Sequence, residues 1–186
     1  MTVKKRRDDA TPRYFQHKTA DIRGGVSVAA SELGGNFLRE GAILSAPVDG
    51  ITHVVKTAQV TAEVAAADKT IKVSKFHNFK VGDFVLVAIG GVAHKITAID
   101  ETNKNYDTIT VDTALGAIPL GGFLVEAKAE ATEKAELKYE PQSVNGTGKP
   151  FDPKSNINTD AWLIGVTKGN PVPGFLIDKL KGIINL

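Results

Sequence analysis

The stretch of the chain that decides the fold runs from Val60 to Ala127 and reads VTAEVAAADKTIKVSKFHNFKVGDFVLVAIGGVAHKITAIDETNKNYDTITVDTALGAIPLGGFLVEA. Apolar and polar residues alternate here in short runs, and residues typical of turns separate the runs. Such a pattern is typical of antiparallel strands, and five or six strands at this spacing are enough to enclose a core. We therefore predict a mainly β protein: a small antiparallel β-barrel or sandwich with an extended N-terminal arm and a short C-terminal helix plus strand.

Two turn signals within this stretch give specific expectations. Gly90 and Gly91 stand between two apolar runs. Glycines tolerate the positive φ angles of a two-residue hairpin turn, so residues 83–89 should pair with residues 92–99. Asp83, in the sequence VGDF, is expected to be a turn residue whose carboxylate accepts a hydrogen bond from its own backbone segment.

Changes in composition divide the chain into three predicted parts. Residues 1–52 should form a basic tail and a glycine-rich docking arm, and residues 53–133 a small β-barrel domain. Residues 134–186 should form a linker and a C-terminal strand and helix for docking, with a long surface loop after Pro141. Extensions without a core of their own become ordered against another chain, which favours a component of an assembly.

The C-terminal end of the chain is expected to be ordered. The sequence AWLIGV, at 161–166, predicts a strand that holds the only tryptophan. Apolar residues then recur at helical spacing, which favours a helix over about 174–181 and a strand over 183–186, with one continuous helix as the alternative. Four residues of this end are candidates for contact with a partner: Trp162, Phe175, Leu176 and Leu180.

Basic charge is concentrated at the N-terminus. The whole chain has a net charge of +2, whereas residues 1–25 alone carry +4. Such a tail is either a solvated disordered arm or an arm ordered by a neighbouring subunit, and it can bind an acidic protein surface. Nucleic acid is not expected as a partner, because the β-rich region lacks clustered basic and aromatic residues. The basic residues predicted to bind a partner are Lys4, Lys5, Arg6 and Arg7.

No motif in the sequence predicts catalysis, and we do not expect an enzyme. Motifs of zinc proteases, serine-nucleophile elbows and dinucleotide sites are missing, and the chain has no cysteine. Pro150 stands where a phosphate loop needs Ser or Thr, and Lys154 stands at a ligand position of a calcium-type loop. The four histidines lie in separate segments without metal-ligand spacing. We therefore expect no catalytic residue, no metal site and no cofactor.

The composition also limits the expected location. Apolar residues make up 42% and charged residues 24% of the chain, as in ordinary soluble proteins. The sequence has no apolar run long enough for a membrane helix, and its basic N-terminus is not followed by the apolar segment of a secretory signal. Synthesis in a cytoplasm and no membrane contact are expected.

Four longer segments resemble bacteriophage proteins: FLREGAILSAPVDGITHVVKTAQV at 37–60, FHNFKVGDFVLV at 76–87, ITAIDETNKNYDTITVDTAL at 96–115 and VPGFLIDKLKGIINL at 172–186. From about residue 23 onward, the chain is similar to the head-fibre and capsid decoration (auxiliary capsid) proteins of phages and prophages of Bacteroidetes-type hosts. The resemblance implies a non-enzymatic virion protein with a mainly β fold. It also implies assembly in the host cytoplasm and attachment to the outside of the capsid.

The resemblance further suggests partners. They are the major capsid protein, other copies of this chain, with a trimer as one candidate state, and another virion protein or the host surface. The chain lacks the distal domain of a long fibre, which favours decoration or a base for another protein.

Two other function classes remain open on the sequence. A small β domain could display loops that bind host-surface carbohydrate, although aromatic residues are only 6% of the chain and supply few stacking surfaces. A small hydrolase would need dispersed carboxylates such as Asp83 to act together, and this class ranks last.

Overall fold

Short strands account for most of the regular structure in the computed structural model, which describes residues 12–186. This confirms the prediction of a mainly β protein. A 3-10 helix covers Ala30–Glu32 and the α-helix α1 covers Gly174–Ile177. The strands are β1 (Phe15–Asp21), β2 (Val26–Val28), β3 (Phe37–Leu38), β4 (Ile43–Ser45), β5 (Val54–Val55), β6 (Thr57–Gln59), β7 (Thr70–Val73), β8 (Phe84–Leu86), β9 (Ala93–Asp100), β10 (Asp107–Val111), β11 (Phe123–Ala127), β12 (Pro141–Asn145), β13 (Lys149–Pro150), β14 (Ile157–Thr159), β15 (Ala161–Thr167) and β16 (Ile183–Asn185).

The first sheet joins the two ends of the described chain. Its strand order is β1-β15-β12-β4-β5, and β16 lies parallel to β15. Strand β1 pairs antiparallel with β15, and β12 pairs antiparallel with both β15 and β4. Segments assigned to the docking arm and to the linker therefore pair with each other in one chain.

Two expectations about these segments are wrong. The segment after Pro141 is not a long surface loop, because it contains β12, β13 and β14. The glycine-rich arm does not lack a core, because Val28, Leu33 and Leu38 are buried in one cluster with Ile157. Apolar residues separated by glycines along the sequence become a core when β2 pairs with β14 and β3 pairs with β13. The prediction missed this because the partners lie more than 100 residues away.

The second sheet consists of six antiparallel strands from the central stretch, in the order β6-β11-β8-β9-β10-β7. Its edge strands β6 and β7 meet at one bridge, between Val60 and Val73. The result is a sandwich-like arrangement of sheets and not a closed barrel. Strands β8 and β9 pair as predicted, but their connection spans residues 87–92 and only Gly90 has a positive φ, of 84°. The prediction of a two-residue turn is therefore wrong.

One core cluster lies between the two sheets, and another of similar size lies within the second sheet and includes Ile71, Ile96 and Leu124. Ile43 and Val144 of the first sheet are buried in one cluster with Leu86 and Val125 of the second. The C-terminal helix and β16 complete this cluster, and Leu176 of α1 is fully buried. The predicted helix is present but ends at Ile177, and the predicted final strand is confirmed. Among residues 12–186, no helix has the length and apolar character needed to cross a membrane.

A buried lysine lies where the chain passes from the first sheet into the second. Lys56 stands between β5 and β6 and is 1% exposed. Its Nζ lies 2.6 Å from Asp83 Oδ2 and 3.0 Å from Oε1 of Glu126, which is also buried. Burial raises the pKa of Glu126 even though Lys56 lies beside it. Lys138 Nζ also contacts Glu126 Oε1, at 2.9 Å, and so brings the segment after β11 into the same charge cluster.

Replacement of Lys56 by methionine is expected to lower the free energy of unfolding by about 3 kcal/mol, because it leaves Asp83 and Glu126 without the buried ammonium between them. The double variant Lys56→Met/Glu126→Met should recover much of the loss, because it removes both buried charges. Chemical denaturation followed by circular dichroism measures both values. The matched control Lys138→Met, at a half-exposed position, should cost about 1 kcal/mol or less. A Lys56→Met protein as stable as the parent would contradict this account.

Candidate functional site

The structure places the predicted partner-binding residues in three different settings. Leu176 and Leu180 are buried between the sheets, at 0% and 3% exposure, so both are core residues of this chain and not contact residues. Phe175 is half-buried and packs against the same cluster. Lys4, Lys5, Arg6 and Arg7 lie outside the described residues.

Trp162 is half-buried on β15 and fixed by its neighbours. Its indole N–H donates a hydrogen bond to Asp160 Oδ2 at 2.7 Å. The ammonium of Lys18 lies 5.2 Å from the ring centroid, and the Phe15 ring packs beside it at 6.3 Å. A Cβ at position 146 would lie within 2.1 Å of the indole nitrogen, so Gly146 is needed for this packing. The tryptophan therefore helps to hold β1 on β15 and presents only part of its surface.

Sequence reasoning missed a group of exposed apolar residues beyond Trp162. Four side chains on β15 and at the chain end are 37–70% exposed. Leu163 and Ile164 are successive residues of β15 and lie on opposite faces of the sheet. We call the three exposed residues other than Leu163 the β15–β16 strip: Ile164, Ile184 and Leu186. The strands come together because Gly182 has no side chain, since a Cβ there would lie 2.2 Å from the carbonyl oxygen of Leu163. Ile184 then pairs with Val166 across the parallel strands.

Lysines and a sheet edge flank the β15–β16 strip. Lys18, Lys168 and Lys181 lie on β1 and next to the ends of β15 and β16. Strand β1 is the last strand in its sheet and pairs only with β15 among the described residues. Its pairing has three register irregularities, which make an edge less suitable for adding a further strand. Contact through side chains is therefore favoured over strand addition at this edge.

A second region of interest is a cleft around the loop 74–82. Phe76 and Asn78 both have positive φ, 63° and 60°, a backbone region that is uncommon for residues other than glycine. The amide nitrogen of Asn78 stabilises this shape by donating hydrogen bonds to the carbonyls of Gly34 and Phe37, both at 3.0 Å. The Phe76 ring, 41% exposed, then packs against Phe37 with ring centroids 5.6 Å apart. A cavity of about 170 Å³ lies beside these two rings.

Asp107 holds the loop 74–82 in place through contacts with two of its residues. Its carboxylate forms an ion pair with Lys75 and lies 3.4 Å from Nε2 of buried His77. Burial would raise the pKa of Asp107, but the contacts with His77 and Lys75 outweigh burial and lower it. The backbone N–H of Phe79 donates to His77 Nδ1 at 3.0 Å, so a neutral imidazole carries its proton on the nitrogen that faces Asp107. Neither ring nitrogen is then free to act as a base, and the group holds the loop in shape.

Arg39 lines a neighbouring cavity of about 180 Å³, together with Tyr14 and Phe76. It is 6% exposed, and its guanidinium donates to Asn170 Oδ1 at 2.7 Å and to Thr57 Oγ1 at 3.3 Å. Burial lowers the pKa of Arg39 to about 10, so the side chain is still a cation at neutral pH. No carboxylate of residues 12–186 forms an ion pair with it. This cavity is therefore electropositive.

The third cluster consists of His94, Asp112 and Glu130, whose potential ligand atoms all lie within 4.8 Å of one another. Successive members of the cluster are 18 positions apart along the chain, so their spacing does not resemble a metal-ligand motif. Pairing of β9 with β10 and a bridge between Ala93 and Ala131 bring them together.

Comparisons of this chain with protein-family models, with curated proteins and with solved structures give no match.

The environment of Asp107 predicts how stability depends on pH. A carboxyl group with a lowered pKa in the folded state stabilises the protein above its unfolded pKa, and this contribution is lost as pH falls through the lower folded value. Asp107→Asn should therefore reduce the free energy of unfolding by about 1–2 kcal/mol at pH 6. The difference from the parent should shrink as pH falls below about 4.

Urea denaturation at a series of pH values measures this difference. The matched control is Asp178→Asn, because Asp178 is exposed and forms no ion pair in the described part of the chain. This variant should follow the parent at every pH. An Asp107→Asn deficit that stays constant down to pH 2 would show that the carboxylate charge is not responsible.

Proposed function

We propose that this chain is a non-enzymatic structural protein of a bacteriophage virion that binds the outside of the capsid, as a decoration or head-fibre protein. The observation that carries the proposal is the β15–β16 strip. Exposed apolar side chains are ordinary when they are scattered, but adjacent ones on one sheet favour a protein contact. Ile164, Ile184 and Leu186 lie on adjoining strands and at the chain end, and all three are exposed.

The lysines around the β15–β16 strip favour one type of binding partner. Lys18, Lys168 and Lys181 lie around it, and the basic residues 4–7 precede β1 in the sequence. An apolar patch with a basic rim fits a protein surface that has an apolar centre and acidic surroundings. We propose that this surface belongs to the major capsid protein. A second copy of this chain is the competing occupant, and the experiment below separates the two.

The described chemistry also supports a binding role over an enzyme. In the buried pair of His77 and Asp107, Nδ1 of the imidazole accepts a hydrogen bond from the backbone N–H of Phe79 and is not available as a base, while Nε2 lies 3.4 Å from the carboxylate. The resemblance of residues 37–60 and 172–186 to head-fibre and decoration proteins points the same way. Assembly in the host cytoplasm and a place on the capsid surface follow from the proposal.

The proposal predicts that a charge in the β15–β16 strip prevents attachment. The double variant Ile164→Asp/Ile184→Asp should lose at least tenfold in affinity for shells of the major capsid protein encoded in the same genome, because aspartates must be desolvated at the contact. Co-sedimentation of purified chain with shells measures this loss. The matched control is Leu120→Asp, because Leu120 is 69% exposed next to β11 of the other sheet. It should bind as the parent does.

The basic tail is tested in the same assay. Deletion of residues 1–18 would also remove part of β1, so deletion of residues 1–11 is the cleaner variant. It should weaken attachment, and added salt should reduce the difference between the parent and the truncated chain. A chain that ignores the shells and remains a monomer in light scattering would refute the proposal. A different outcome is that the parent chain self-associates but does not bind shells, and that Ile164→Asp/Ile184→Asp abolishes the self-association. That result would assign the strip to a contact with a second copy of this chain.

One observation favours the alternative of a carbohydrate-binding or host-surface module displayed on the virion. The exposed ring of Phe76 and the ring of Phe37 line a cavity that also contains Asn36 and Glu101. Aromatic faces next to polar side chains are the groups that stack on sugars and bond their hydroxyls. Binding on an array of host glycans that disappears in Phe76→Ala and persists in Ile164→Asp/Ile184→Asp would support this alternative. An array without any bound glycan would remove it.

A further inference from the structure

We propose that His94, Asp112 and Glu130 form a binding site for one divalent transition-metal ion, with Zn²⁺ as the best-fitting ion. Three separate parts of the second sheet supply the residues: His94 lies on β9, Asp112 follows β10, and Glu130 lies in the turn after β11. His94 Nδ1 is 4.0 Å from Asp112 Oδ1 and 3.9 Å from Glu130 Oε1. One nitrogen and two oxygens thus surround a common point.

The state of His94 is the observation that points to a ligand. The residue is 7% exposed, and its Nδ1 is buried without a hydrogen-bond partner in the described part of the chain. Both carboxylates face this nitrogen but lie beyond hydrogen-bond distance. A buried polar atom without a partner is unfavourable and uncommon in folded proteins. An ion held between the nitrogen and the two oxygens would satisfy all three groups.

The two carboxylates lack other cations. Within residues 12–186, neither Asp112 nor Glu130 forms an ion pair with a lysine or arginine. The nearby ammonium of Lys69 donates to the backbone carbonyl of Asp112, at 2.7 Å, and not to its carboxylate. The backbone N–H of Lys95 donates to Asp112 Oδ1 at 3.1 Å and orients this carboxylate. The site therefore carries two negative charges that a divalent cation would balance.

The set of donor atoms selects the class of ion. Imidazole nitrogen is a good ligand for zinc and its neighbours, whereas calcium and magnesium take oxygen ligands. Zinc bonds of about 2.0–2.2 Å in tetrahedral geometry place ligand atoms about 3.4 Å apart, so each carboxylate oxygen needs to approach the imidazole nitrogen by about half an ångström. Glu130, whose side chain is 57% exposed, has the freedom to make this movement. Water would take the fourth position, as it does in open three-ligand sites.

An ion in this position would act as a structural clamp. The turn that carries Glu130 is attached to β9 through backbone hydrogen bonds between Ala93 and Ala131 in both directions. A metal bound to His94, Asp112 and Glu130 would add a second attachment of this turn and join it to the end of β10. Ligands that bind only the folded state raise its stability, so metal binding should be visible in thermal unfolding.

The test uses the full chain without an affinity tag, stripped with EDTA and titrated with ZnCl₂ in a calorimeter. One equivalent of Zn²⁺ should bind, and the unfolding temperature should rise by about 5–10 °C when free Zn²⁺ is about a hundredfold above its dissociation constant. Glu130→Gln should weaken binding at least tenfold and abolish most of the rise. Glu133→Gln, an exposed glutamate in the same turn, is the matched control and should bind as the parent does.

A second variant and a second probe keep the outcome unambiguous. Asp112→Asn retains an oxygen that accepts the Lys95 hydrogen bond and should also weaken Zn²⁺ binding at least tenfold. Co²⁺ should give visible absorption bands that His94→Gln loses. The proposal is overturned if Zn²⁺ has no effect on the parent, or if Glu130→Gln and Glu133→Gln bind it equally. Preferential binding of Ca²⁺ over Zn²⁺ would also overturn it, because the nitrogen ligand would then play no part.

Discussion

The buried charge of Lys56 is the constraint on which the arrangement of the two sheets depends. The residue lies at the crossing from β5 to β6, so its backbone belongs to the junction and its side chain has no route to water. An unpaired ammonium there would be costly, and Asp83 and Glu126 of the second sheet supply the balancing carboxylates. The second sheet must therefore sit where these two acids reach the crossing. Apolar packing between the sheets supplies the driving force, and the charge cluster favours the placement in which the two acids reach Lys56.

In the cleft around the loop 74–82, the backbone conformation likewise depends on contacts with polar and charged side chains. A loop with two side-chain-bearing residues at positive φ is unfavourable by itself, so its shape requires contacts from outside. The side-chain amide of Asn78 donates hydrogen bonds to the carbonyls of Gly34 and Phe37, and the contacts with His77 and Lys75 lower the pKa of Asp107. These contacts hold the loop in its conformation. As a result, the Phe76 ring is exposed and packs against Phe37.

The sequence predicted the features that depend on neighbours along the chain. The pairing of β8 with β9, the strand around Trp162 and the final strand β16 all follow from local patterns, and Asp83 does accept a hydrogen bond from the backbone of Lys80. Features that depend on distant segments were missed. The pairing of β2 with β14 converts a glycine-rich arm into a folded layer, and no local pattern encodes it. The cluster of His94, Asp112 and Glu130 was not predicted either, because its three residues come from segments that are distant along the chain.

The position of the chain ends connects the fold with the proposed attachment. Strand β1 follows the basic tail, β16 ends the chain, and both pair with β15, so the two ends of the described chain share one sheet. The exposed apolar residues lie on β15 and at the C-terminus, whereas Leu176 and Leu180 of the preceding segment are committed to the core. Covering Ile164 and Ile184 would cost the protein no rearrangement, because the strands that carry them are already paired. A surface that is preformed in this way loses little conformational entropy on binding, which suits attachment to a repetitive lattice.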